Sequence, residues 1–133
     1  PPLYYEGYML LKKIVLRNDN QFSTAILTWA EKQGIDVETF DGKASLYDIV
    51  DSMVVIQEDH NVAKETRDLQ DAIEKIHKPT HSIDVNGTMN ASVASLRFWL
   101  ENNKPQCVLF VGDDKLTESH RFSEYLVKLA EVI

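Results

Sequence analysis

Short segments of strand length alternate along this chain with segments whose apolar residues recur at helical spacing, and this alternation constrains the fold more than any other feature. The strand-like segments cover residues 14–16, 35–40, 53–56, 81–85 and 107–111. The clearest helical pattern has its positions i, i+3, i+4 and i+7 filled by Phe22, Ala25, Ile26 and Trp29. Strands that alternate with helices form a parallel sheet covered on both faces, because right-handed crossovers connect them.

We therefore predict an α/β fold, in the form of a single three-layer Rossmann-like (flavodoxin-like) domain with a mostly parallel five-stranded sheet. We expect this domain to span residues 9–133, with residues 1–8 as an N-terminal arm or a cloning remnant. Gly34 and the Lys78-Pro79 pair are typical of helix ends, and Ser45 is typical of a helix start.

The charge balance restricts the partners of the chain. It carries 14 Lys and Arg residues against 21 Asp and Glu residues, a net charge of −7. This argues against nucleic-acid and anionic-membrane partners, because clustered cations bind phosphate groups. The single cysteine, Cys107, excludes an internal disulfide bond and a cysteine-based zinc site. Neither a bilayer-spanning apolar run nor a signal-peptide pattern stands out, so we expect a cytoplasmic protein.

Candidate ligand contacts follow from the predicted sheet, since such sheets bind ligands beyond the carboxyl ends of their strands. The first strand ends at Arg17, Asn18 and Asp19. Arg17 suits an anion because its guanidinium donates two parallel hydrogen bonds. Asp19 or Asn20 is equally suited to cap the next helix, and no glycine stands here to form a phosphate cradle. Ligand contact and capping therefore both stay open.

The third strand ends at Glu58, Asp59 and His60, a cluster that suits a divalent cation, acid–base work or a solvated loop. The next residue, Asn61, is a candidate N-cap. Thr66 lies near the apolar stripe of the following helix, where its hydroxyl faces the cleft or bonds to the backbone. We include Glu58 and Thr66 among the candidate ligand contacts.

Two further strand ends complete the candidate site. After the fourth strand, Gly87 allows a positive φ and Thr88 or Asn90 is suited to cap a helix, so a ribose, a phosphate or an empty turn fits there. After the fifth strand, Gly112 permits close approach of the backbone to a ligand. Asp113 and Asp114 suit a metal ion, ribose hydroxyls or simply the end of a strand. The candidate contacts at these two ends are Asp84, Asn86, Gly87, Thr88, Gly112 and Asp113.

Several segments correspond in serial order to one protein family. They are Lys13-Ile14-Val15, residues 25–30, residues 50–56, Thr66 with residues 78–84, and residues 99–100 with 108–112. In this order they resemble the molybdenum carrier family and its relatives, the lysine-decarboxylase-like and nucleotide-sensor Rossmann domains. The resemblance covers most of residues 12–130 and implies a nucleotide-like or phosphate-bearing cofactor. The family's glycine-rich loop is replaced here by residues 17–20, so the chain resembles a diverged member.

We therefore expect a domain that binds a small nucleotide-like or phosphate-bearing ligand without catalysis and that forms a homo-oligomer. One alternative is a degenerate Rossmann domain used for interaction or oligomerisation. Another is an N-glycosidase of the nucleoside deoxyribosyltransferase or TIR type, which the chain resembles in layout and in Lys78-Pro79. A carboxylate would then stabilise or attack the anomeric carbon. The candidates for that carboxylate are Glu58, Asp59, Glu65 and Asp68.

Overall fold

A computed structural model describes residues 9–17 and 20–133. The strands are β1 Lys13–Leu16, β2 Asp36–Thr39, β3 Ser52–Gln57, β4 Thr80–Asp84 and β5 Val108–Gly112. The helices are α1 Gln21–Gln33, α2 Leu46–Ile49, α3 Lys64–Lys75, α4 Met89–Asn103 and α5 His120–Ala130, and a 3-10 helix, Asp114–Glu118, precedes α5. The predicted arm, residues 1–8, and the candidate contacts Asn18 and Asp19 lie outside the described residues.

The described residues form one five-stranded sheet in the order β2-β1-β5-β3-β4, and every pairing in it is parallel. The α/β Rossmann-like prediction is thus confirmed, with a sheet that is wholly rather than mostly parallel. β5 returns to the centre, where Phe110 is paired with Leu16 on one side and Val54 on the other. The carboxyl ends of β1, β5, β3 and β4 are therefore contiguous.

The helices lie on both faces of the sheet, as right-handed crossovers require. The step from β1 to β2 runs towards one edge of the sheet and the step from β3 to β4 runs towards the opposite edge, so α1 and α3 lie on opposite faces. Helices α1, α4 and α5 cover one face, where Phe22 and Ile26 pack in a core with Leu16. Helices α2 and α3 cover the other face, where Leu69 packs in a core with Val55. Neighbouring strand residues point to opposite faces, so Met53 to Ile56 in β3 and Val108 to Val111 in β5 are all apolar.

Helix α1 begins and ends, and helix α5 begins, at residues that are typical of helix caps. Asn20 caps α1 by accepting a hydrogen bond from the backbone N–H of Ser23 at 2.9 Å, and Gly34 ends α1 with φ +75°. Ser119 caps α5, as its side chain accepts from the backbone N–H of Phe122. The predictions for Asn20 and Gly34 are confirmed because each signal depends only on residues close in sequence.

One capping prediction, Asn61, was wrong. Helix α3 has Ala63 rather than Asn61 at its N-cap, because the backbone N–H of Asn61 closes a turn onto the carbonyl of Glu58 at 3.1 Å. Ser45 and Thr88 are the N-cap residues of α2 and α4, as predicted, although neither side chain forms a capping hydrogen bond with a described residue. In residues 9–17 and 20–133, none of the helices combines the length and the apolarity that crossing a membrane demands.

Candidate functional site

A pocket of about 680 Å³ lies at the carboxyl ends of β1, β5 and β3. Its position follows from the topology. The chain passes from β5 to α5 on one face of the sheet and from β3 to α3 on the other face, so a crevice lies between the two loops. The pocket brings together five of the predicted contacts. These are Arg17, Glu58, Thr66, Gly112 and Asp113.

Arg17 forms one wall of the pocket and is largely buried, with 19% of its side chain exposed. One terminal nitrogen donates a hydrogen bond to Oε1 of Glu65 at 2.8 Å. Its Nε is buried and has no hydrogen-bond partner among the described residues. Because Nε is closed to solvent, a ligand oxygen in the pocket would pair with the terminal nitrogens of the guanidinium, one of which is bonded to Glu65.

The first turn of α3 borders the same corner of the pocket. The first intrahelical hydrogen bond of α3 joins the N–H of Arg67 to the carbonyl of Ala63 at 3.1 Å. The N–H groups of the three residues before Arg67 have no intrahelical partner, and alanine at the N-cap has no side-chain oxygen to offer them. Thr66 is only 9% exposed and lines the pocket. Arg17, Thr66 and this helix terminus thus place hydrogen-bond donors at one corner of the pocket, where the carboxylate of Glu65 is the opposing charge.

The N-terminus of α1, by contrast, has two backbone N–H groups that already donate to side chains and are not free to bind an anion. The backbone N–H of Phe22 donates to Oδ1 of Asp114 at 3.2 Å, and that of Ser23 donates to Oδ1 of Asn20 at 2.9 Å. The 3-10 helix after β5 positions Asp114 for this contact. A carboxylate therefore already occupies the place where a phosphate would sit in a dinucleotide-binding fold. Asp114, for which a metal contact, a ribose contact and a strand end were all open from the sequence, thus contacts the N-terminus of α1.

A strained turn forms the wall next to Glu58. Asp59 and His60 have φ values of 57° and 59°, and the turn closes from the N–H of Asn61 to the carbonyl of Glu58. Two consecutive left-handed residues other than glycine are unfavourable, so other contacts must hold them. Glu58 itself accepts a hydrogen bond from Oγ of Ser119 at 2.9 Å.

Asp84 supplies those contacts and is not among the described residues that line the pocket. Its carboxylate accepts hydrogen bonds from the backbone N–H groups of Asp59 at 3.1 Å, His60 at 2.8 Å and Asn86 at 2.9 Å. Burial, the largest single influence, raises the pKa of Asp84, but these three donors and the charge of His60 outweigh it and lower the pKa overall. Asp84 is therefore an ionised anchor for the pocket wall.

The other predicted contacts after β4 also lie outside the described pocket lining. Asn86 donates from its side chain to Oδ1 of Asp59 at 2.6 Å, which supports the same turn. Arg121 donates to the carbonyls of Val85 at 2.9 Å and Gly87 at 2.6 Å. Gly87 does not adopt a positive φ, contrary to the reason for which it was considered. No local sequence signal indicates that Arg121 fastens this turn, because 34 residues separate it from Gly87.

Gly112 lines the pocket, but its lack of a side chain also serves the core. A Cβ atom at this position would lie 2.4 Å from Cε1 of Phe22 and 2.9 Å from Cδ1 of Leu116. Real carbon atoms do not approach so closely without displacing one another. The ring of Phe22 therefore occupies the space that a larger residue would need.

The pocket as a whole is acidic. Among the described residues that line it, five carboxylates face two cations, Arg17 and Lys115. No group of three or more histidine, cysteine, aspartate or glutamate residues in the described part of the chain is arranged to hold a metal ion. The arrangement suits a ligand with one anionic group at the Arg17 corner and hydroxyl or amino groups facing the carboxylates.

Comparison of the chain with known protein families, curated proteins and solved structures yields no significant match. The similarity to the molybdenum carrier family consequently stays a prediction. A shared Rossmann-like fold does not establish an activity, since the same fold supports many unrelated functions. The function is therefore argued from the pocket.

Proposed function

We propose that this protein binds a small nucleotide-like ligand in the pocket at the carboxyl edge of the sheet and does not transform it chemically. The observation that carries the proposal is the Arg17 guanidinium, which is largely buried and lies in the same pocket as Thr66. An anionic ligand oxygen at this corner would accept from the exposed part of the guanidinium, from the Thr66 hydroxyl and from the first turn of α3.

The rest of the pocket supports the same ligand class. Its volume of about 680 Å³ lies within the range of pockets for small molecules. Glu58 and Asp113 would accept hydrogen bonds from ribose hydroxyls or an exocyclic amine. Glu65, whose side chain is 75% exposed, forms only a weak surface pair with Arg17, which an incoming anion would replace at little cost.

Catalysis is less well supported than binding because the candidate carboxylates already have partners. Glu58 accepts from Ser119, Asp59 from Asn86 and Asp68 from Lys64. Glu65, the fourth candidate, lies at the corner assigned to the anionic group of the ligand. An N-glycosidase needs a carboxylate that is free to face the anomeric carbon. Absence of base release from nucleosides and NAD at high protein concentration would agree with binding alone.

Replacing Arg17 with glutamine tests the proposal. We expect Arg17→Gln to weaken the binding of adenosine 5′-monophosphate about tenfold, because charge-assisted hydrogen bonds to the phosphate are lost. The binding of adenosine, which has no phosphate, should change much less. Isothermal titration calorimetry at low salt measures both affinities.

Arg97→Gln is the matched control, since Arg97 also pairs with a glutamate, Glu101 at 3.8 Å, but lies on α4 away from the pocket. The control variant should bind both probes as the unmodified protein does. Equal losses in the two variants, or an unmodified protein that binds neither probe, would contradict the proposed site.

A further inference from the structure

A groove of about 1030 Å³ runs between α1 and α5 on the face of the sheet that these helices cover. Its floor is rigid, because Nε1 of Trp29 on α1 donates to the carbonyl of Leu126 on α5 at 2.9 Å, and both side chains are buried. Small side chains on its walls, Thr28 and Ala130 among them, leave room for another backbone to approach. Val127 lines the same groove and is 65% exposed.

We propose that a second copy of this chain docks in the α1–α5 groove by a two-fold axis. Such an interface uses the same surface on both subunits, so a ridge and a groove must lie side by side on that surface. Val127 supplies the apolar ridge and the floor formed by Trp29 and Leu126 supplies the groove. Each subunit would thus bury the exposed side chain of the other.

The charges at the two ends of the groove favour this occupant. Helices α1 and α5 follow parallel strands, so both run from the carboxyl edge of the sheet towards its amino edge. Asp114 lines the groove at the carboxyl edge and Lys32 lines it near the other end, in the last turn of α1. A two-fold axis across the helices places them antiparallel, which brings Lys32 towards Asp114 of the partner subunit at both ends.

The same arrangement makes the partner part of the ligand site. Asn20 and Asp114 line both the groove and the pocket. Lys32 of the partner subunit would therefore add a cation at the edge of a pocket that is otherwise rich in carboxylates. The dimer itself does not depend on the proposed ligand, because Trp29, Leu126 and Val127 line the groove but not the ligand pocket.

Sedimentation velocity of the full chain over a concentration series tests the proposal. We expect a species of twice the 15.2 kDa chain mass. Val127→Asp should raise the dissociation constant of the dimer at least about tenfold, because a carboxylate would be buried in the groove. Lys32→Glu should raise it too, by an amount that falls as salt is added. Phe98→Asp is the matched control, since Phe98 is also 65% exposed but lies on α4 outside the groove.

Four results would overturn the proposal. One is a single-chain mass at every concentration, and another is a dimer that Val127→Asp leaves intact. A third is a dimer that Phe98→Asp disrupts as strongly, which would place the interface on α4. The last is a full chain that stays monomeric while a chain lacking residues 1–8 dimerises, which would assign the groove to that segment. Circular dichroism spectra that match the unmodified protein show that the variants fold.

Discussion

Gly112→Ala is expected to lower the free energy of unfolding by about 3 kcal/mol, at the upper end of the usual cost of overpacking. The added Cβ would lie 2.4 Å from the ring of Phe22, which is 1% exposed. That ring cannot simply move away, because it packs against Phe122 with ring centroids 5.7 Å apart. The backbone of β5 or the start of α1 must therefore shift. Chemical denaturation with urea measures the loss.

Gly87→Ala is the control for this substitution. A Cβ at Gly87 would have its closest contacts at 3.3 Å and 3.5 Å, and the backbone there is not left-handed. We expect this variant to lose less than about 1 kcal/mol. If the two variants were equally stable, the tight approach of Phe22 to Gly112 would not be a feature of the folded protein.

Asp84→Ala is expected to cost about 3 kcal/mol, because three backbone N–H groups lose their ionised acceptor together. Two of these groups belong to Asp59 and His60, whose left-handed conformation then has less to hold it. The wall of the pocket next to Glu58 should loosen as well. Urea denaturation reports the stability, and amide hydrogen exchange at residues 58–61 reports the loosening.

The pH dependence of this effect separates the charge of Asp84 from its shape. The folded protein lowers the pKa of Asp84, so its contribution is present above the unfolded-state pKa of about 3.9 and is lost as the pH falls through the folded value. The stability difference between the unmodified protein and Asp84→Asn should therefore shrink below about pH 4. Asp68→Ala, which removes an exposed pair with Lys64, is the control and should cost less than about 0.5 kcal/mol. A constant difference down to low pH would contradict the role of the Asp84 carboxylate.

The fold could be predicted from the sequence because its signals are local and repeated. The apolar segment 107–111 indicates a strand buried on both faces, and Val108–Gly112 is the central strand β5. The order of the strands could not be predicted in the same way. The placement of β5 between β1 and β3 depends on pairings such as Leu16 with Phe110, which join residues far apart in the chain.

The candidate site could be predicted only in part, for a related reason. The rule that ligands bind at carboxyl ends treats every strand end alike. Arg17, which follows β1, does line the pocket, and Thr66 on α3 lines it too. It does not indicate that the Asp84 carboxylate accepts hydrogen bonds from the backbone N–H groups of Asp59 and His60 in a neighbouring loop. Nor does it indicate that Asp114 occupies the N-terminus of α1, a contact between residues 92 positions apart.

An NMR titration of nitrogen-15-labelled protein with adenosine 5′-monophosphate tests the central claim most directly. If the ligand binds against Arg17 and the first turn of α3, the largest shifts should appear at the backbone amides of residues 63–66 and 111–116, and Arg17→Gln should reduce them. Shifts centred on residues 86–88 would instead place the ligand at the turn after β4. That result, or an unchanged spectrum at saturating nucleotide, would contradict the proposed site.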